Sequence, residues 1–361
     1  MMVQNNIKNE LQMEDENVKI LQVIDTLSVG GGEKIFVEVC NILYNERVNI
    51  TSLFLLKKGF LQRDLNENIP FIELNRTNKW SCAEMYRCSK ILKQYDLIHC
   101  HFRYVYKYIS LVAKLFGVKS KIILHDHYGS IDIDKRVPFL LNSVLKPNFY
   151  IGVSNTLQDW AVDSLQIKRN RVFVLENIVS KSLQKQQYSK RYDLILVSNI
   201  KQLKNNKFGL EIVEHLNASL LLIGKNQNEA YYNEIIERKN RNGLSCDIDI
   251  TQNNIQPILH CSKLGLHTSI SESGPLVLIE YLAQGLPFLA YETGEVARIL
   301  KPYFPEFFID NFEVDQWAER IKMLLSKNAD IEKMEEVFEM HFGKESYFNK
   351  LKNIYICVLK S

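Results

Sequence analysis

The sequence lacks an apolar run of about 18 residues, the length that a membrane-spanning helix needs, so we expect no transmembrane helix. Its seven cysteines are an odd number, and no two of them form a Cys-x-x-Cys pair. This pattern argues against a disulfide framework and favours reduced cysteines in the cytoplasm. The first 17 residues are polar and acidic, unlike a secretory signal, and we expect them to form a flexible extension.

A large excess of one charge is also missing, since the formal net charge is only +3, but the charges are unevenly distributed. Between Leu74 and Tyr150 there are 13 Lys and Arg residues against 5 Asp and Glu residues. Such a field favours anionic partners such as a membrane surface, although a solvated set of helix faces explains the same charges. The helix predicted over Arg103–Lys119 could lie at a membrane, but its apolar stripe is more typical of core packing.

Short aliphatic runs alternate with longer amphipathic segments, which is typical of β-α units around parallel sheets. The alternation stops at a polar stretch, residues 181–191, and then starts again. The restart predicts a second doubly wound domain rather than one longer sheet. We therefore expect an α/β protein with two Rossmann-like, doubly wound domains over residues 18–180 and 192–344, and a final helix over residues 345–361.

The most informative stretch is TSISESGPLVLIEYLAQGLPFLAYETGE, which starts at Thr268. A strand ends there, and a helix opens near Pro275, whose missing N–H needs no partner in a first helical turn. Free backbone N–H groups at this helix start would bind an anion such as a diphosphate. They belong to Gly274, Leu276 and Val277.

Two carboxylates flank this helix start, and each can accept hydrogen bonds from sugar or ribose hydroxyls. Glu272 lies in the loop and Glu280 in the helix. Lys204, in the loop after the first strand of the second half, can neutralise a diphosphate as a point charge. The alternatives are a capped surface helix with two solvated glutamates and a solvated lysine.

The stretch ESGPLVLIE resembles the E-x7-E motif of the family-4 retaining glycosyltransferases, and Gly285 and Pro287 match the G-x-P that follows it. The resemblance implies that Glu272 lies beside the transferred sugar and that Glu280 binds the ribose. The earlier loop resembles the family's G-R-L-x-x-x-K-G segment, with Lys204 as the diphosphate-binding lysine. Asn199 stands where the family has arginine, and we suggest Lys201 as the replacement charge.

The glycine-rich loop SVGGGEK joins the first strand to the first helix. It lacks the G-x-G-x-x-G spacing of a dinucleotide site, so it is weak evidence for NAD. It is similar to the family's G-G-A-E-R loop, which implies that Gly30 and Gly31 line the cleft that faces the donor phosphates. A tight structural turn is the competing interpretation.

Four histidines form two H-x-H pairs at predicted strand ends, His99 with His101 and His125 with His127. Such pairs suggest zinc, but no Cys or Glu at ligand spacing completes either one. The segment LHDHYG resembles the family's strand-end histidine motif, which implies that one histidine faces the donor sugar. His127 aligns best and His125 second. For His99 and His101 we expect packing or acceptor contacts.

Two D-x-D triplets, Asp132–Asp134 and Asp247–Asp249, are the other candidate metal ligands. Triplets of this kind are common by chance, and Lys204 with the helix start could already neutralise a diphosphate. We therefore expect neither a required metal nor a further cofactor.

The family resemblance implies the GT-B architecture, with the donor site in the second domain and acceptor contacts in the first. It also implies transfer with retention from a nucleotide sugar, expected to be a UDP-sugar, in bacterial capsule or lipopolysaccharide synthesis. The acceptor would be a glycan or lipid-linked molecule at the inner membrane face, with peripheral contact to anionic lipid and no nucleic-acid partner. The alternatives are a non-catalytic nucleotide-sugar or glycan-binding protein, favoured by Asn199, and an NAD-dependent oxidoreductase.

Overall fold

The computed structural model describes residues 18–57, 59–184, 191–252 and 254–361. The extension predicted over residues 1–17 lies outside the described residues, as does most of the linker predicted over residues 181–191. Within the described ranges the chain forms two parallel β-sheets flanked by helices. The predicted α/β class with two Rossmann-like domains is confirmed.

The first sheet has seven strands in the order β3-β2-β1-β4-β5-β6-β7. The strands are β1 (Ile20–Ile24), β2 (Ile50–Phe54), β3 (Phe71–Glu73), β4 (Leu97–His101), β5 (Lys121–Asp126), β6 (Phe149–Gly152) and β7 (Val172–Val174). The α-helices between them are α1 (Gly31–Asn45), α2 (Cys82–Leu92), α3 (Arg103–Phe116) and α4 (Asn155–Asp163). All five residues of β1 are buried, as expected for a parallel strand covered on both faces.

The second sheet has six strands in the order β10-β9-β8-β11-β12-β13. The strands are β8 (Tyr192–Val197), β9 (Leu220–Ile223), β10 (Cys246–Asp249), β11 (Ser262–His267), β12 (Phe288–Tyr291) and β13 (Phe308–Ile309). The helices are α5 (Asn206–Leu216), α6 (Glu229–Arg241), α7 (Leu276–Ala283), α8 (Gly294–Leu300), α9 (Val314–Leu325), α10 (Ile331–Phe342) and α11 (Lys344–Leu359). The strand order reverses between β8 and β11, and ligands of open α/β sheets bind beyond the strand ends at such a point.

The described residues group into two compact units. One unit comprises residues up to Asp126 together with Pro138–Tyr150 and Ile354–Ser361, and the other comprises His127–Val137 and Ile151–Asn353. The domain boundaries predicted from the sequence stay predictions. None of the helices in the described ranges has both the length and the apolar character needed to cross a bilayer.

Helix α3 is shorter than its predicted span of Arg103–Lys119. It ends at Phe116 because Gly117 adopts a left-handed conformation (φ +62°) that closes the helix. Val105, Ile109 and Val112 on this helix are fully buried, so its apolar stripe serves mainly the core.

A buried polar network lies in the first unit, where β1, β4 and β5 run side by side. The Tyr355 hydroxyl lies 2.7 Å from His99 Nδ1 and accepts a hydrogen bond from Gln22 Nε2 at 2.8 Å. His99 Nε2 lies 3.1 Å from His125 Nδ1, and His101 Nε2 lies 3.2 Å from Gln22 Oε1. These four contacts are compatible with neutral imidazole rings. In that case the Tyr355 hydroxyl donates to His99 Nδ1, His99 Nε2 donates to His125 Nδ1, and His101 Nε2 donates to Gln22 Oε1.

We predict that Tyr355→Phe destabilises the protein by about 1–3 kcal/mol, because His99 Nδ1 and Gln22 Nε2 both lose a buried partner. Urea unfolding followed by circular dichroism measures the change. Tyr86→Phe is the matched control, since Tyr86 is 52% exposed and its replacement should alter stability by less than about 0.5 kcal/mol. Equal unfolding midpoints for the two variants would show that the network contributes no stability.

Candidate donor site

The loops that follow β8 and β11 are hydrogen-bonded to each other at the point where the strand order reverses. The Ile270 N–H donates to the Leu203 carbonyl at 2.9 Å, and Thr268 Oγ1 donates to the Lys204 carbonyl at 3.0 Å. The structure therefore brings together two segments that lie more than 60 residues apart in the sequence. This is the position at which a doubly wound sheet binds its ligand.

An ion cluster forms where these loops meet. Lys204 Nζ contacts Glu272 Oε1, and His267 Nε2 lies 3.5 Å from the same oxygen. The Lys204 and Glu272 side chains are only 16% and 15% exposed. Burial by itself would raise the pKa of Glu272, but the charge of Lys204 and the contact with His267 outweigh it and hold the pKa at about 2. Glu272 is therefore ionised throughout the physiological pH range.

Lys201 adds a second cation to this place. Burial lowers the pKa of Lys201, and the neighbouring charge of Lys204 lowers it further, while Glu272 acts in the opposite sense. The charges of Lys204 and Glu272 thus both act on Lys201, and the charge of Lys204 repels it. An anion with two charges would relieve that repulsion. Asn199 is the second residue after β8, and a Cβ on Gly224 would lie 3.0 Å from its backbone nitrogen.

The loop that carries Glu272 is held by the segment after β12. The Glu272 N–H donates to Thr293 Oγ1 at 3.2 Å, and the Glu295 N–H donates to the Ser273 carbonyl at 2.8 Å. Gly294 adopts φ +79°, and a Cβ there would lie 3.0 Å from the Glu272 carbonyl oxygen. Glycine permits both the backbone conformation and the close approach.

Helix α7 begins at Leu276, one residue later than the sequence suggested, and Pro275 is its N-cap in an extended conformation (φ −67°, ψ 111°). Asn177 Nδ2 donates to the Gly274 carbonyl at 2.6 Å and fixes the entry to the helix. The N–H groups at the start of a helix have no partner within the helix, so the N–H of Val277 is among the donors that an anion can use. Glu280 lies in the second turn of α7 and is only 4% exposed.

The segment that contains His127 belongs to the same unit as Glu272. Ser271 Oγ donates to the Gly129 carbonyl at 3.2 Å, and a Cβ on Gly129 would lie 4.0 Å from Glu272 Oε2. Burial lowers the pKa of His127, so its imidazole is neutral at physiological pH. The structure thus places the predicted histidine segment against the Glu272 loop.

Gly30 and Gly31 lie in the other unit, at the start of α1. Gly30 is the N-cap, and α1 begins at Gly31. Ser28 Oγ donates to Glu33 Oε1 at 3.0 Å, and the Glu33 carboxylate folds over Gly30, where a Cβ would lie 2.3 Å from Glu33 Oε2. Burial raises the pKa of Glu33. The role of these glycines at the donor stays a prediction.

The other candidate metal ligands take local partners. Nitrogens of His99, His101 and His125 lie within 4.8 Å of one another, since adjacent strands combine the two H-x-H pairs. The sequence argument treated the pairs separately and missed this grouping. Arg136 pairs with Asp134, and the Tyr192 hydroxyl donates to Asp247.

Three residues at the donor site were not predicted from the sequence: His267, Asn177 and Thr293. The only sequence signal for His267 is its place at the end of a strand, directly before the TSISE loop. Asn177 and Thr293 act on the backbone of the Glu272 loop and of the α7 start through hydrogen bonds between distant segments. No local pattern marks such contacts.

Part of the chain matches a known family model. Residues 178–339, which include Lys204, Glu272 and α7, match the family model described as glycosyl transferases group 1. No curated protein sequence gives a significant match.

Several solved structures share the fold over nearly their whole length. HepE from Anabaena, in complex with UDP and glucose, is 16% identical with a TM-score of 0.76, covering 93% of this chain and 98% of that chain. A glycosyltransferase from Rickettsia africae is 17% identical with a TM-score of 0.74, covering 95% and 99%. The lipopolysaccharide outer core galactosyltransferase WaaB is 16% identical with a TM-score of 0.70, covering 94% and 99%.

The fold of this chain is the GT-B fold of these structures. The match to the glycosyl transferases group 1 model covers less than half of the chain, and the likeness of the whole chain to these solved structures is a likeness of fold.

Proposed function

We propose that this chain transfers a sugar from a UDP-sugar to a hydroxyl of a glycan or lipid-linked acceptor, with retention of the anomeric configuration. The observation that carries the proposal is the convergence of Lys204, Lys201 and the start of α7 beside the ionised Glu272. Two cations and a helix N-terminus next to one carboxylate form a site for a diphosphate that carries a hydroxyl-rich group.

In this proposal the donor spans the crevice beyond β8 and β11. Lys204 and Lys201 bind the diphosphate, with Asn199 beside them and the N–H groups of Gly274, Leu276 and Val277 completing its shell. Pro275 sets the entry of the helix, and Glu280 binds the ribose.

Glu272 and His127 act at the sugar. The acceptor oxygen attacks the anomeric carbon from the face that the diphosphate leaves, while the bond from that carbon to the phosphate oxygen breaks. The acceptor proton passes to a phosphate oxygen of the leaving UDP. Glu272 stabilises the positive charge that develops at the anomeric carbon, and the neutral His127 accepts or donates a hydrogen bond to the sugar.

The lysines and the helix start neutralise the departing diphosphate in this scheme, so we propose that no metal is required. Support for UDP comes from HepE, whose structures contain UDP, UDP with glucose, or UDP-glucose. WaaB, a lipopolysaccharide galactosyltransferase, supports an acceptor in bacterial surface polysaccharide synthesis.

We predict that Lys204→Met raises the donor KM about 10- to 100-fold, because a charge-assisted contact of about 1.5–3 kcal/mol is lost. Glu272→Gln should instead lower kcat about 100- to 1,000-fold, since it removes stabilisation of the charge that develops at the anomeric carbon. UDP release is measured across a panel of UDP-sugars with an oligosaccharide acceptor, with and without EDTA. The anomeric configuration of the product is read by NMR.

Lys207→Met is the matched control for this assay. Lys207 lies three residues from Lys204, but it pairs with Glu234 at the surface and should leave both constants unchanged. A chain that binds UDP-sugars without releasing UDP would be a nucleotide-sugar-binding protein instead. Loss of activity in EDTA that manganese restores would overturn the metal-free scheme.

We further propose that the first unit contacts an anionic membrane through a basic-aromatic face made of Trp80, Tyr86, Lys90, Lys114 and Leu115. Trp80, Tyr86 and Leu115 are 63%, 52% and 61% exposed, which is high for large apolar side chains. Lys90 Nζ lies 5.1 Å from the centre of the Tyr86 ring. Exposed Trp and Tyr next to lysines are typical of the membrane interface.

Contacts between α2 and α3 join Tyr86 and Lys90 to the end of α3. The rings of Tyr86 on α2 and Phe116 on α3 have centroids 5.9 Å apart, and Leu115 precedes Phe116. Lys114 Nζ donates to the Val144 carbonyl, next to a loop in which Phe139 is 81% exposed. Each Lys or Arg near an anionic surface contributes about 1 kcal/mol of attraction, which salt screens.

We predict that Lys90→Glu with Lys114→Glu reduces sedimentation with phosphatidylcholine–phosphatidylglycerol vesicles at least 10-fold at low salt, because two attractions become repulsions. Trp80→Ala with Leu115→Ala should weaken binding at low and high salt alike, because insertion of apolar groups is insensitive to screening. The control is Ile331→Ala with Met340→Ala, which removes apolar groups that are 57% and 50% exposed in the other unit. If the variant with both lysines replaced sedimented with the vesicles as the wild type does, the proposal that this face binds the membrane would be wrong.

A further inference from the structure

His267 is the last residue of β11 and is 1% exposed. Among the described residues, neither of its ring nitrogens makes a hydrogen bond of normal geometry, although Nε2 is close enough to Glu272 to help lower the pKa of that carboxyl. A buried polar group without a partner costs free energy, and most buried polar groups in proteins are paired. An aliphatic residue would pack more favourably at this strand end, so stability alone does not account for the imidazole.

The Nε2 atom of His267 is directed at Glu272. It lies 3.5 Å from Glu272 Oε1, just beyond hydrogen-bond distance, and Lys204 Nζ contacts the same oxygen. In this structure Lys204 is thus the close partner of the carboxylate, and His267 is the second one. The charge of Glu272 also raises the pKa of Lys201 against the effects of burial and of Lys204.

A diphosphate at Lys204 would compete with Glu272 for that cation. Glu272 is only 15% exposed, and a carboxylate at such a depth is costly when its cation leaves. The carboxylate must then gain another donor, or it will protonate or turn away from the sugar. His267 Nε2 needs to move by only about half an ångström to reach hydrogen-bond distance.

We propose that His267 is a positioning residue, which donates its Nε2–H to Glu272 when the donor diphosphate binds Lys204. The Nε2–H bond would keep the carboxylate ionised and aimed at the anomeric carbon. His267 does not itself contact the reacting atoms. The inference rests on the proposed function, because it assumes that Lys204 binds the diphosphate of a nucleotide sugar.

The variant His267→Leu separates this role from a structural one. It should lower kcat about 10- to 100-fold with less than a 3-fold change in the donor KM, since Lys204 still binds the diphosphate. Its unfolding midpoint should stay equal or rise, because leucine replaces an imidazole without partners. A merely structural histidine would give a lower midpoint instead.

His267→Gln should recover kcat to within about 3-fold of the wild type, since the amide Nε2 of glutamine can take the place of the ring Nε2. The matched control is His215→Leu. His215 Nε2 also lies 3.5 Å from a carboxylate, Asp315 Oδ1, but that pair is exposed, and its loss should alter neither kcat nor stability.

The measurements are steady-state UDP release, UDP binding by calorimetry and thermal unfolding of each full-length variant. If His267→Leu kept the wild-type kcat, or if His267→Gln did not recover kcat, the positioning role would be overturned. In either case, binding of UDP by the variants would still support the proposed function. A wild-type chain that neither binds UDP nor releases it from any donor would overturn the proposed function and this inference together.

Discussion

The contact between Lys204 and Glu272 is the interaction on which the candidate site depends. The two charges are largely removed from solvent, and the attraction between them is what keeps Glu272 ionised against the effect of burial. A buried ion pair of this kind contributes little net stability, because desolvation opposes the attraction. Its cost is consistent with a site in which a charged ligand exchanges partners with the protein.

Most of the surrounding structure serves to hold this pair in place. Lys204 follows β8 and Glu272 follows β11, so the hydrogen-bonded register of adjacent strands brings their loops together. Thr293 and Gly294 then fix the backbone of the Glu272 loop, and Asn177 fixes the start of α7. The proposed transfer reaction needs this rigidity, because it depends on charges that are positioned before the reaction starts.

The first unit contains a different kind of polar interior. The network around His99 and Tyr355 is buried, and its hydrogen bonds join β1, β4 and β5 to the last helix. Three large apolar side chains of this unit, Trp80, Tyr86 and Leu115, are exposed near or on α2 and at the end of α3, whereas the ion pair between Arg103 and Asp126 is largely buried.

The sequence by itself determined the fold class and the candidate residues of the donor site. Strands of a parallel sheet are buried on both faces, so they appear in the sequence as short aliphatic runs between amphipathic helices. A polar stretch followed by a second series of such runs predicts a second sheet. The Gly274-Pro275 start of α7, Glu272 and Lys204 could be read from local patterns, because helix starts and phosphate-binding loops have local chemistry. The sequence also predicted the end of α7, because Gly285 lies just after Ala283, the last residue of the helix.

Only the tertiary structure decided which of these residues meet. His267, Asn177 and Thr293 contribute through contacts across the sheet or between distant loops, and no spacing in the sequence encodes those distances. The same holds for the grouping of the histidines, because the parallel pairing of β4 and β5 sets His101 opposite His125. Packing of the whole sheet determines the strand order and the register. A sequence motif, in contrast, contains information only about the residues close to it in the chain.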